Sequence, residues 1–271
     1  MSEGTILRSG VVELLTTASV AGTPTFVVNP GVITARRIIE AHHEECPDAT
    51  VHLLADELVL KDVVDDFVVA SMAADLIHED RLILRTDGGA AENTLIISEE
   101  VLVTVITVNG DVYGLATEES SFVGDVRERV AVLWADASDF RLRTPPITVV
   151  TQTMGEEIGP DVAEEFTAVL QAIDAARDNG GALDEVTICL LVAAANDVLL
   201  YDISKWGEDV GIASKATFSR TKSQLEESGL LDTEKVPIDV GRPRLRLKLA
   251  DERLVDATPD ELADVALSAA T

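Results

Sequence analysis

The sequence predicts an α/β N-terminal domain followed by a C-terminal winged helix-turn-helix, mainly helical with a β-hairpin wing. Three observations carry that prediction. The first 146 residues alternate short β-rich apolar runs with helical apolar stripes, as in an α/β layer. Residues 200–228 hold two helical patterns separated by the turn Gly211-Ile212-Ala213. Residues 244–249, RLRLKL, alternate strictly between cation and leucine, as a half-buried strand does.

The elements follow in order. Thr25–Asn29 is a β-rich run stopped by Pro30-Gly31, and Val32–His43 has helical spacing. Val51–Leu54 reads as a second strand. Asp56–His78 reads as one long helix, with Leu60, Val63, Val64, Phe67, Val68 and Met72 on its apolar side. Arg81–Arg85 is a third strand, and Gly88-Gly89 a turn. Thr94–Ile97, Val101–Val108 and Val112–Ala116 are strands, the last two joined by the hairpin signal Asn109-Gly110. Glu119–Ala137 is a helix containing Trp134, and Phe140–Arg143 a closing strand before Pro145-Pro146.

Residues 1–146 are therefore expected to form an α/β effector or dimerisation domain. Residues 147–182 are expected to be a linker carrying an amphipathic helix from Pro160 to Arg177, with Pro160 suited to a first helical position. Its stripe of Val162, Phe166, Val169, Leu170 and Ile173 needs a cover, from its own domains or from a second subunit. Asp178-Asn179-Gly180-Gly181 marks a boundary. Residues 183–250 hold the winged helix-turn-helix, starting with a helix Asp184–Ala195, and residues 251–271 a helical tail opened by the capping box Thr258-Pro259-Asp260-Glu261.

Within the winged segment, Leu200–Val210 is the positioning helix. Ser214 caps a second helix, Lys215–Ser228, which stops before Gly229. Phe218 and Leu225 anchor that helix inward. Leu230–Val236 and Arg244–Leu249 form the hairpin, with Leu245, Leu247 and Leu249 toward the core and Arg244, Arg246 and Lys248 outward.

Charge singles out the same region. The chain carries 21 Lys/Arg against 49 Asp/Glu, a formal net of −28. Yet residues 204–248 hold nine Lys/Arg against seven Asp/Glu, and five of the six lysines. A segment that keeps its cations in so acidic a chain is the part expected to meet nucleic acid. The remaining acidity, with few lysines and few aromatics, reads as a surface adapted to molar salt, where the Debye length shrinks to about 3 Å. An ordinary acidic protein is the alternative.

Ser214, Lys215, Thr217, Ser219, Arg220, Lys222 and Ser223 are the small polar and cationic groups suited to phosphates and base edges in a major groove. Arg242, Arg244 and Arg246 are the wing's candidates for the DNA backbone. Alternatives stay open for several cations. Lys222 either contacts DNA or snorkels over the core edge. For Lys205 the alternative is a cap on its own helix, for Lys235 and Lys248 a solvated strand face, and Trp206 reads as core.

Ser214–Leu231, SKATFSRTKSQLEESGLL, resembles the recognition helix and exit of many prokaryotic winged-helix repressors, and Gly241-Arg242-Pro243-Arg244 resembles their wing. Leu200–Leu249 and Leu53–Ala74 resemble the haloarchaeal TbsP-like regulators, most specifically over YDISKWGEDVGIASKATFSRTK and TEKVPIDVGRPRLRLKL. The similarity covers nearly the whole chain. It implies a transcription factor on promoters of central carbon (sugar) metabolism genes in a halophilic archaeon, alongside TrmB-type control. Asn93–Trp134 is also similar to one half of the phospholipase-D-like fold used as an effector domain in TrmB-type regulators. Catalytic members of that fold carry H-x-K just before the strand that matches Leu95–Ile97. Glu92-Asn93-Thr94 stands there instead, which argues against phosphodiester hydrolysis.

No phosphate-loop or dinucleotide fingerprint occurs. His42-His43-Glu44-Glu45-Cys46 is the one metal-capable cluster, and adjacent helical histidines point too far apart to share an ion readily. Asp56-Glu57 and Asp65-Asp66 read as solvated surface. The expectation is a non-enzymatic, cytoplasmic protein without cofactor, metal or membrane segment. Its partners would be double-stranded promoter DNA, a second copy as homodimer, and a small-metabolite effector. The competing readings are a winged-helix interaction module that partners another regulator, and a phosphodiesterase-like enzyme.

Overall fold

The computed structural model describes residues 5–7, 10–18, 23–45, 50–86, 92–108, 111–176, 185–238, 243–250, 254 and 257–269. The chain divides into two compact units. One is Met1–Asp65 with Val69–Leu142; the other is Asp66–Val68 with Arg143–Thr271.

The first unit is built on a mixed sheet. Its strands are β1 (Thr5–Leu7), β2 (Pro24–Val28), β3 (Thr50–Ala55), β4 (Leu82–Thr86), β5 (Leu95–Ile97), β6 (Leu102–Val108), β7 (Asp111–Thr117) and β8 (Ser138–Asp139). They lie in the order β1-β7-β6-β5-β2-β3-β4-β8. Only β2, β3 and β4 run parallel; every other pairing is antiparallel. The helices are α1 (Val11–Ala18), α2 (Val32–Glu45), α3 (Glu57–Val64), α4 (Phe67–His78) and α5 (Ser120–Asp136).

Side-chain alternation sorts the sheet's two faces. Val27, Val51, Leu53, Leu84, Val103 and Val105 join a core with Leu14, Leu15, Ile38, Ile39, Leu60 and Leu76 of the first four helices. Phe26, Val28, Leu54, Ile97 and Leu102 point the other way, onto Val123 and Val130 of α5. Gly114 lets α1 lie close on β7, since a Cβ there would stand 2.4 Å from a Leu14 methyl. Where α5 meets the sheet, His52 stacks on Trp134 with centroids 4.7 Å apart, and Arg85 lies 4.8 Å above the same ring. Arg85 also donates to the Trp134 carbonyl and to Asp139.

Four differences from the sequence reading have local causes. The stretch 56–78 is two helices, because the Asp66 carboxylate accepts from Val68 N–H at 3.1 Å and caps a new start. The closing strand is Ser138–Asp139, one step earlier than Phe140–Arg143; Phe140 still donates to the Leu84 carbonyl. β1 and α1 went unread. So did α6 (Ile147–Glu157), whose Thr151 and Thr153 hydroxyls bond back to carbonyls one turn earlier. The Asn109-Gly110, Gly88-Gly89 and Asp178–Gly181 turns and the Asp184 cap lie outside the described residues.

The second unit contains α6, α7 (Pro160–Ala176), α8 (Glu185–Ala195), α9 (Leu200–Val210), α10 (Lys215–Glu227), the hairpin β9 (Leu231–Val236) with β10 (Arg244–Leu249), and α11 (Pro259–Ala269). α8 is its axis: Val186 through Ala194 are all buried. The stripe of α7 is covered from within this unit, since Val162, Phe166, Val169, Leu170 and Ile173 are buried and the helix packs on α6, α8 and α11. The segment expected as a linker thus forms two helices of the second unit.

Candidate nucleic-acid interface

Two contacts set the angle between α9 and α10. Gly207 brings the helices together: a Cβ at that position would lie 2.4 Å from Phe218 Cζ. Gly211, at φ 95°, ends α9 in the left-handed conformation, and its N–H reaches the Gly207 carbonyl. Trp206 is buried, as expected, and its indole N–H donates to Thr153 of α6 at 3.0 Å.

α10 begins at Ser214, whose Oγ accepts from Thr217 N–H at 3.2 Å and lies 3.1 Å from the Thr217 hydroxyl. Phe218, Thr221 and Leu225 turn inward. Ser219 and Arg220 are exposed, and Ser223 bonds back to the Ser219 carbonyl. Arg220 has no hydrogen-bond or ion-pair partner among the described residues.

The other cations of α9 and α10 are paired. Lys215 Nζ donates to Glu208 at 2.5 Å, and Lys215 N–H donates to the same carboxylate at 3.2 Å. The ammonium–carboxylate bond raises the Lys215 pKa, and that bond together with the backbone one holds Glu208 below the usual carboxylate value. Lys205 pairs with Asp209 at 3.2 Å, which raises its pKa in turn. Lys222 is 12% exposed and pairs with Glu226 at 2.7 Å. The Lys222 side chain is thus largely covered, and its head meets a carboxylate one helical turn on, a spacing already present in the sequence.

The hairpin register places Leu245, Leu247 and Leu249 opposite Lys235, Thr233 and Leu231 on one face. Arg244, Arg246 and Lys248 stand opposite Val236, Glu234 and Asp232 on the other. The alternation of faces is present, but only Leu247 is fully buried, Leu245 and Leu249 are half-buried, and acids share the cationic face. Arg246 lies 3.8 Å from Glu234, and Lys248 lies 2.5 Å from Asp197. Arg244 is held differently: its guanidinium sits 3.4 Å above the ring of Tyr201, at the start of α9. β10 is pinned further by Leu247 N–H donating to the Val198 carbonyl and by a bridge between Leu199 and Arg246. Arg242 and the tip of the wing lie outside the described residues.

Acids of residues 204–248 share the candidate contact faces at three places. Asp232 and Glu234 are on the cationic side of the hairpin. Glu227 follows Arg220 by seven residues on α10, which puts it on the same stripe about 10 Å along the axis. Sequence reasoning also missed Tyr201 and Glu208. Both act across a chain reversal, and neither contact has a spacing signature.

The metal-capable cluster comes apart. His42 donates to the Arg81 carbonyl at 3.0 Å, while His43 donates toward Asp75 at 3.3 Å; Cys46 lies outside the described residues. Among the described residues no group of three metal-ligating side chains occurs, and no helix is long and apolar enough to cross a membrane.

A capped helix crossing a positioning helix, with a two-stranded hairpin behind it, defines the class: a winged helix-turn-helix protein with an α/β partner domain. The family follows from direct comparison. Residues 146–267 match the C-terminal HTH domain of TbsP-like transcriptional regulators, and residues 4–145 match the N-terminal domain of the same regulators. The chain belongs to the TbsP-like transcriptional regulator family. Among solved structures it is similar to TrmBL2, described as an archaeal chromatin protein with a novel mode of DNA binding, at 15% identity and TM-score 0.37. That alignment covers 51% of this chain and 54% of the other. No curated protein matches.

Proposed function

We propose that this regulator is a homodimer that binds promoter DNA sequence-specifically through α10. Arg220, Ser219 and Ser223 would face base edges, and Ser214, Lys215 and Thr217 would meet a phosphate at the helix N-terminus. Arg242, Arg244 and Arg246 would hold the DNA backbone from the wing. The observation that carries this reading is Arg220, an exposed arginine on the outward stripe of the second HTH helix with no acidic partner among the described residues. Lys222, tied inward, is left out of the contact set.

The setting is a halophilic archaeon, and the targets are genes of central carbon metabolism. The acidity of the chain supports the first point and the TbsP-like family the second. The α/β unit would sense a small metabolite or mediate assembly. In molar salt, counterion release adds little to affinity, so paired cations cost little and specific contacts matter more. Selection from a random duplex pool in molar KCl tests the proposal. A recovered motif with two related half-sites is expected; a pool that stays unenriched without an added protein partner would favour the interaction-module reading.

A further inference from the structure

α5 covers only part of its side of the sheet. The register continues that face outward from Leu102 across three strands: Thr104 lies beside Leu115, Leu115 beside Ile6, and Ile106 beside Tyr113, with Val108 beyond. Their neighbours in sequence, Val103, Val105, Val112 and Ala116, face the opposite core and are buried. The outward set is exposed: Ile6 62%, Val108 52%, Ile106 47%, Leu115 47% and Tyr113 36%. None of these five side chains is charged, although the chain as a whole has a formal net of −28; the one acid at a register position of this face is Asp111, beside Val108 at its end.

We infer that this β1–β7–β6 face is the dimer interface, occupied by the same face of a second copy. The inference rests on the homodimeric reading above and gives it a location. The five apolar side chains expose about 500 Å² together, near the upper end of what a monomer tolerates in one patch. A stable interface buries roughly 800 Å² per partner, so this patch alone supplies more than half of one. Charge selects the occupant. Two strongly acidic copies approach most closely where charge is sparse, and the stretch Ile6–Leu115–Tyr113–Ile106 offers an uncharged surface on both sides of a two-fold axis, with Asp111 only at its end. A partner recognised through charge would be basic and would seek the acidic surface instead. The α7 stripe, the other apolar surface in question, is already covered within its own unit.

The test is the mass of the full chain in molar KCl, by light scattering and without DNA. The expected wild-type mass is twice the 28.9 kDa of one chain. Ile106→Glu with Leu115→Glu should halve it, while Leu58→Glu, on the exposed side of α3, should leave it unchanged. Tyr113→Cys in a Cys46→Ser background guards against a misfolded double variant, because it should give one cross-linked dimer with a short bismaleimide. A wild-type dimer that resists the double substitution, or gives no cross-link, overturns the location and leaves dimerisation standing. A wild type of one-chain mass overturns both and assigns the face to a different protein.

Discussion

Glu208 and Lys215 face each other across the turn of the helix-turn-helix, and one carboxylate takes both the Lys215 ammonium at 2.5 Å and its backbone N–H at 3.2 Å. That carboxylate stands at the N-terminus of α10, where a DNA phosphate would be received. Glu208→Gln should therefore strengthen DNA binding at low salt and steepen its salt dependence by about one unit of log–log slope per subunit. Titrations over a range of KCl concentrations check this. An unchanged slope would mean that Lys215 does not reach a phosphate.

Tyr201 acts on the wing. Its ring lies under the Arg244 guanidinium, a contact worth about 0.5–1 kcal/mol at an exposed site. Tyr201→Ala should weaken DNA binding by about two- to fivefold, and Tyr201→Phe should restore it. Failure of the phenylalanine variant to rescue would point to the hydroxyl rather than the stack.

Gly207→Ala probes the helix crossing. The added methyl would overlap the Phe218 ring, so a loss of about 1–3 kcal/mol is expected in denaturant unfolding. Unchanged stability would show that Phe218 can move aside.

His52 links the α/β unit to pH. Burial first, and the Arg85 charge second, lower its pKa from the ordinary 6.5. The unfolded chain then binds the proton more readily, so the contribution is full above about pH 6.5 and declines as pH falls toward the lowered folded value. The slope attributable to this group cannot exceed about 1.4 kcal/mol per pH unit. His52→Gln should flatten the unfolding profile of the α/β unit below neutrality, as read by Trp134 fluorescence; an unaltered profile would locate the titration elsewhere.

The sequence made legible what depends on local period. RLRLKL declared its two faces, Gly211 its turn and Ser214 its cap, and each is present. What it hid depends on contacts between distant segments. α6 lacks a strong stripe, and β1 is three residues long and is a strand only because β7 lies beside it. The pairing of Lys222 with Glu226 is an ordinary one-turn spacing, yet nothing in the sequence told whether that edge was solvated or packed. The positive segment therefore looked more available for DNA than it is.

Arg220 is the residue proposed to read base edges. On a duplex recovered by selection, Arg220→Ala should lose at least about tenfold in affinity in molar KCl and flatten discrimination against substituted sites, as expected when a base-edge contact is removed. Glu227→Ala, on the same stripe, should bind at least as well as the wild type. Equal affinity and unchanged discrimination for Arg220→Ala would mean that Arg220 does not contact the bases.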